Sequence, residues 1–148
     1  MKCVIQRVLK AELKVESNLI SQINKGLVVF FGVEKGDNEE ICQKVCKKIL
    51  NMRIFEDENG KMNFSVKDVN GQVLIISQFT LFADCSHGNR PSFFQAEVPE
   101  LAEKIYEKAV EYIKNESIDV QKGVFGADMK INQLNDGPVT IILDSKIL

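Results

Sequence analysis

The sequence predicts an α+β protein: an antiparallel, barrel-like sheet of about seven or eight strands with two flanking helices, in one domain spanning residues 1–148. Three observations predict it. Short apolar runs bounded by Gly, Asn and Asp recur from one end of the chain to the other. Only two stretches repeat their apolar residues at helical spacing. A chain of 148 residues can also bury one real core without disulfides or metals.

Residues 2–9 alternate loosely, with Val4, Val8 and Leu9 apolar and Gln6 and Arg7 polar, as a first strand does. Residues 13–16 and 19–23 flank the polar pair Ser17-Asn18, the pattern of a hairpin with a short turn. Gly26 then introduces Leu27-Val28-Val29-Phe30-Phe31-Gly32-Val33, apolar enough to be buried on both faces. Four strands with short links within 33 residues predict an antiparallel meander.

A helix over residues 38–52 follows. Asp37-Asn38-Glu39-Glu40 places a Glu three residues after a capping Asp, and Ile41, Val45 and Ile49 recur every four residues beside Cys42, Cys46 and Leu50. Glu58-Asn59-Gly60-Lys61 and Asp68-Val69-Asn70-Gly71 are turns, the second leading into Val73-Leu74-Ile75-Ile76, a strand buried on both faces. That strand ends in a polar cluster, Ser77, Gln78 and Thr80, with Phe79 inside it. Residues 84–91 form a polar loop. Pro99 opens the second helix, with Leu101, Ile105, Ala109 and Tyr112 or Ile113 as its buried stripe. Strands at 119–124, 129–134 and 139–143 finish the chain.

The composition, 45% hydrophobic and 27% charged, is that of an ordinary globular protein. A net charge of −2 argues against a protein that coats nucleic-acid backbone, but leaves room for one that grips an RNA end. The start of the chain lacks a secretory pattern and no apolar run is long enough to span a bilayer, so no membrane role is predicted. Cys3, Cys42, Cys46 and Cys85 show no paired framework, which predicts a reducing, cytoplasmic setting. Cys42 and Cys46 share a helix face, but a metal needs two further ligands and the only histidine is His87. They read as buried structural thiols. No metal and no cofactor are predicted.

Polar groups at the end of a buried strand are costly without partners, so Ser77, Gln78 and Thr80 are either in use or mark a strand fraying into a turn. Ser77, Thr80 and Ser86 are poor nucleophiles until a base takes their proton. His87 stands in a polar loop with no orienting carboxylate beside it, so a Ser-His-Asp device has little support. Gly137-Pro138 falls between two strand-like stretches, where proline lacks a ladder N–H and glycine permits close approach; it reads as a specialised turn. Arg7, Arg90, Lys122 and Lys130 are available to phosphate or simply solvate the surface. Phe125 and Met129 suit either an adenine-facing wall or plain core.

Seven motifs in order carry a resemblance. They are Met1-Lys2-Cys3-Val4-Ile5-Gln6-Arg7-Val8, Leu50-Asn51-Met52-Arg53-Ile54-Phe55, Gly60-Lys61-Met62-Asn63 and Ser77-Gln78-Phe79-Thr80-Leu81. Further on come Gly88-Asn89-Arg90-Pro91-Ser92-Phe93, Gly123-Val124-Phe125-Gly126-Ala127-Asp128-Met129 and Asn135-Asp136-Gly137-Pro138-Val139-Thr140. Together they resemble the D-aminoacyl-tRNA deacylase family from the first residue nearly to the last. The chain departs from the family pattern at His87, Cys85 and Phe94, and its Ser17-Asn18 turn lacks the usual glycine.

The resemblance implies hydrolysis of the ester joining a D-amino acid, or glycine, to the terminal ribose of tRNA. It implies a homodimer in which a cis Gly137-Pro138 enters the partner's site and faces Ser77-Gln78-Phe79-Thr80. Carbonyls there would hold the α-ammonium and leave no room for an L side chain, so that handedness is read by exclusion. Backbone N–H groups around Phe79 and Thr80 would stabilise the oxyanion, and the ribose hydroxyl would assist the attack. Asn135 belongs to the same motif, Arg7 would brace the loop, and Phe125 and Met129 would face the terminal adenosine. A Thr80-nucleophile esterase, an esterase for D-amino acid esters without RNA, and a noncatalytic barrel binding tRNA ends are the alternatives.

Overall fold

In the computed structural model all of residues 1–148 are described. The first strand, β1 (Lys2–Val15), is long and organises the sheet. β8 (Met129–Asp144) runs antiparallel along almost its whole length, from Lys2 opposite Asp144 to Val15 opposite Met129. β1 also pairs with β3 (Gly26–Gly32) through residues 2–8 and with β2 (Asn18–Ile23) through residues 11–15. β6 (Gln72–Ser77) lies beside β3, and β7 (Val120–Lys122) beside β6. β2 and β7 share no ladder, but Ser21 Oγ donates to Lys122 O across the gap, so the sheet is nearly closed into a barrel. A separate hairpin joins β4 (Phe55–Glu56) to β5 (Met62–Phe64).

The α+β class, the barrel-like curl and the two helices are as predicted, and the strands number eight. Strand direction differs from the expectation. The β3–β6 and β6–β7 pairs are parallel, each bridged by a crossover that contains a helix. An apolar run reports burial on both faces but carries no information on direction. The predicted meander fails for a related reason: residues 2–15 are one bent strand, not two, and β3 returns to β1 instead of β2. Likewise 129–144 is a single strand. The hairpin turn sits one residue earlier than predicted, at Glu16 and Ser17, whose φ angles of 49° and 70° give the left-handed pair that tight hairpins use.

α1 (Glu39–Asn51) is capped by Asn38, whose side chain accepts from Ile41 N at 3.0 Å. Asp37, the predicted cap, instead accepts from Glu34 N at 2.7 Å and closes the preceding turn. α2 (Pro99–Asn115) begins on its proline as predicted. Its buried stripe is Ala102, Tyr106, Ala109 and Ile113, while Leu101 is exposed and Ile105 only partly buried. The spacing alone allowed either stripe. Tyr106 decides it, because its ring fills the core while its hydroxyl donates to Ile75 O at 2.9 Å.

Two layers of core follow from β6. Val73 and Ile75 face the helices, packing in one cluster with Val45, Ile49, Tyr106 and Ile113. Leu74 and Ile76 point the other way, into the barrel with Val8, Leu13, Ile23 and Val28. Each fully buried aliphatic of this kind is worth about 1.5–3 kcal/mol. The polar residues that follow β6 are therefore held at the end of a strand anchored on both faces.

Candidate active site

β6 ends at Ser77. Gln78 N still donates to Phe31 O at 2.9 Å, and the chain then turns into a single 3₁₀ turn, Phe79–Phe82. Ser77, Gln78 and Phe79 form one wall of a cavity of about 640 Å³. Phe125 and Met129 line it too, so five of the predicted site residues meet here. Both also pack on the core, Phe125 lying 6.1 Å from the Tyr106 ring, so they are wall and core at once. Phe93 meets Phe79 edge to face at 5.0 Å. The cavity thus joins an apolar floor to a few convergent polar groups, the usual make-up of a small-ligand site.

Thr80 stands just outside this lining, exposed, with its Oγ1 2.5 Å from Gln78 Nε2. Its neighbour is an amide, which cannot serve as a general base. His87 and Arg90 are exposed on the 84–91 loop and do not line the cavity. Lys122 and Lys130 are engaged with Glu107 at 2.7 Å and Asp128 at 2.9 Å.

The remaining predicted residues gather elsewhere. Gln6 pairs with Thr140 and Val8 with Asn135, so residues 136–139 bulge out of β8 opposite Arg7. Gly137 has φ +130° and an added Cβ would lie 2.7 Å from Val139 N, so this position requires glycine. The Gly137–Pro138 bond is cis, and both residues are exposed. Arg7, only 4% exposed, lies beneath them. Its Nη1 donates to Ile54 O at 2.7 Å and its Nε to Asp136 O at 3.3 Å, while Asp136 Oδ2 is 3.1 Å from Nε. Asn135 Oδ1 accepts from Gln133 Nε2 at 2.8 Å, and the same amide nitrogen reaches Gln6 Oε1 at 2.6 Å. None of Arg7, Asn135, Gly137 and Pro138 lines the cavity of its own chain.

Sequence reasoning passed over part of the cavity, namely Lys35, Phe94, Ala96 and Val98. The adjacent phenylalanines after the 84–91 loop were the available signal, since two large aromatics in a polar stretch need a reason. Cys3, Cys42 and Cys46 are buried, in keeping with structural thiols. Burial pushes the Cys3 thiol well above its ordinary range, and a hydrogen bond with Cys42 together with burial does the same for Cys46.

A model of the D-Tyr-tRNA(Tyr) deacylase family matches residues 4–144. The D-aminoacyl-tRNA deacylase of Dictyoglomus turgidum is 54% identical over 148 residues, covering 100% of this chain and 95% of that protein. That of Aquifex aeolicus is 51% identical over 146 residues, with 99% of each covered. Among solved structures, the c-Myc DNA unwinding element binding protein superposes with TM-score 0.91 at 39% identity, over 97% of this chain and 98% of that one. A probable eukaryotic D-amino acid tRNA deacylase shares the fold, with TM-score 0.80 at 16% identity over 96% of this chain and 97% of that one. Matching one family over nearly every residue, with its motifs at a cavity and at an outward loop, the chain belongs to the D-Tyr-tRNA(Tyr) deacylase family.

Proposed function

We propose that this protein hydrolyses the ester of D-aminoacyl-tRNA, releasing free tRNA and the D-amino acid, and that it clears glycine from wrongly charged tRNA in the same way. The observation that carries this is the placement of Ser77, Gln78 and Phe79 on the cavity wall of a chain that matches the family end to end. Attack on the ester builds negative charge on the carbonyl oxygen. The main-chain N–H groups of Phe79 and Thr80, at the start of the 3₁₀ turn, have no earlier carbonyl of that turn to bond, and they supply the oxyanion donors. Water is the nucleophile and the neighbouring ribose hydroxyl positions or activates it. In this reading Thr80 is not the nucleophile, since the group beside its hydroxyl is the Gln78 amide, which cannot take the proton.

Handedness is read by a second chain. In this reading the Gly137–Pro138 loop, exposed and absent from the lining of its own cavity, enters the cavity of a twofold partner. The free edge of β8 and its outward residues Ile142, 71% exposed, and Leu134, 49% exposed, supply apolar surface for such a dimer. Loop carbonyls take the substrate's α-ammonium and leave an L side chain nowhere to go, whereas D side chains project away and glycine meets nothing. The chain would therefore accept many D-amino acids and work in the cytoplasm, where charged tRNA is found.

One assay tests the reading. The protein is incubated with D-Tyr-tRNA, L-Tyr-tRNA and a simple D-tyrosine ester. Hydrolysis of the first alone is the expected result. Equal hydrolysis of the ester marks an RNA-independent esterase, and no hydrolysis at all marks a binding protein.

A further inference from the structure

At the mouth of the cavity Phe94 is 79% exposed, and Lys35 Nζ lies 3.6 Å from the centroid of its ring. Phe79, 54% exposed, and Val98, 45% exposed, line the same cavity, so Phe94 extends an exposed apolar patch instead of standing alone. Neither Phe94 nor Lys35 is loosely held. Lys35 N donates to Gln95 O at 3.0 Å and Glu97 N to Val33 O at 3.0 Å, with Glu34 and Ala96 forming a bridge between them. Ala96 N closes a turn on Phe93 O at 3.0 Å, fixing the backbone on both sides of Phe94. The pair is therefore presented by two zipped segments.

Lys35 is the only cation lining the cavity. The Glu97 carboxylate is directed to main-chain donors, accepting from Val98 N at 2.8 Å and Gly36 N at 3.4 Å, and Asp128 is paired with Lys130. The Lys35 ammonium is paired with a ring instead of a carboxylate. One ring face is taken by that ammonium and the other is open. An open aromatic face beside a cation without a carboxylate matches a nucleobase followed by its phosphate. An apolar knob from another protein would have to strip water from the ammonium and give nothing in return.

We propose that Phe94 and Lys35 form a subsite for the penultimate nucleotide of the tRNA 3′ end. Its base stacks on the open face of Phe94, and the phosphate linking it to the terminal adenosine lies against Lys35. The inference rests on the proposed deacylase reading, in which the cavity behind Phe94 holds the aminoacylated terminal nucleoside. It adds that the protein reads two nucleotides and not one. Base–aromatic stacking is sequence-tolerant, so the subsite contributes affinity for any base there, and every charged tRNA gains equally.

The test compares D-tyrosyl-adenosine with the D-tyrosyl ester of the dinucleotide cytidylyl-adenosine. In the unaltered protein the dinucleotide ester should have a KM roughly tenfold lower at similar kcat, the size of one stacked base. Phe94→Ala should bring the two KM values together, and Phe94→Trp should keep them apart. Lys35→Ala should reduce the salt dependence of the dinucleotide's KM by about one charge. An unchanged KM ratio in Phe94→Ala overturns the subsite. So does sedimentation showing that Phe94→Ala splits a dimer, which makes Phe94 a subunit contact. Calorimetric affinities for uncharged cytidylyl-adenosine and adenosine are measured alongside. If no ester is cut by any form, a dinucleotide preference lost in Phe94→Ala still upholds the subsite while the deacylase reading falls; equal affinities overturn the subsite.

Discussion

Arg7 is the fixed point beneath the Gly137–Pro138 bulge, because its Nε faces both the Asp136 main-chain oxygen at 3.3 Å and the Asp136 carboxylate at 3.1 Å. At the same time Nη1 reaches across to Ile54 O at 2.7 Å. A guanidinium can do this because its donors diverge in a plane; an ammonium cannot. Arg7→Lys should therefore fold but hold the bulge loosely, lowering discrimination between D-Tyr-tRNA and L-Tyr-tRNA by about tenfold, one hydrogen bond's worth. Arg7→Ala removes the buried guanidinium and leaves Ile54 O and Asp136 without their donor, and should cost about 3 kcal/mol in urea unfolding. Unchanged discrimination in Arg7→Lys would remove the bracing role.

Thr80 touches an amide and no base. Thr80→Val should keep kcat within about threefold, since the lost hydroxyl leaves the main-chain donors in place. Charged tRNA whose terminal 2′-hydroxyl is replaced by hydrogen should be cut at least about a hundredfold more slowly. A folded but inactive Thr80→Val would make the threonine the nucleophile.

Thiol chemistry separates the four cysteines. Cys3, Cys42 and Cys46 are buried and Cys85 is exposed. Thiolate is the reactive form; burial withholds it from Cys3 at neutral pH, and the hydrogen bond with Cys42 together with burial withholds it from Cys46. Iodoacetamide should label Cys85 alone in the native protein and all four cysteines in guanidinium, as intact-mass spectrometry will show.

Gly26 begins β3 where it runs closest to β6. A Cβ there would collide with the Gln72 main-chain oxygen, so the two strands could not keep their register. Gly26→Ala should lower stability by more than about 3 kcal/mol, whereas Gly36→Ala, with nothing near it, should cost only the strain of its positive φ. Thermal melts of the two variants compare these costs directly.

Acid should loosen the turns before the core. Asp57 is held below the ordinary carboxylate range chiefly by the Lys61 N–H, and Asp68 chiefly by the Ser65 hydroxyl. A carboxyl lowered by folding contributes stability above its unfolded value, about 3.9, and loses that contribution as pH falls through its folded value. Between pH 5 and 2, roughly, the melting temperature should fall less steeply in an Asp57→Asn, Asp68→Asn double variant than in the parent.

What the sequence made legible was whatever local pattern dictates. Val73 to Ile76 announced a strand buried on both faces, and the structure divides those four side chains between two cores. Pro99 announced a helix start, and the cavity lined by Ser77, Gln78, Phe79, Phe125 and Met129 was assembled from separate motifs. What stayed hidden depends on distant partners. The direction of β6 relative to β3 is set by the crossover between them, and the burial of Tyr106 over Ile105 by a carbonyl on another element. Lys35 and Phe94 meet only because two loops zip together, a contact across 59 residues that no local pattern encodes.

The gap between β2 and β7 is the one seam of the wall without a ladder. Everywhere else in the wall, neighbouring strands are held by repeating main-chain bonds, while here Ser21 supplies a tie from its side chain. Thermal breathing should begin at this seam, where the fewest bonds must break together. Amide protons of β2 and β7 would then trade with solvent deuterium well before those of β3 and β6, so that the seam opens and closes one strand away from the one that carries Ser77.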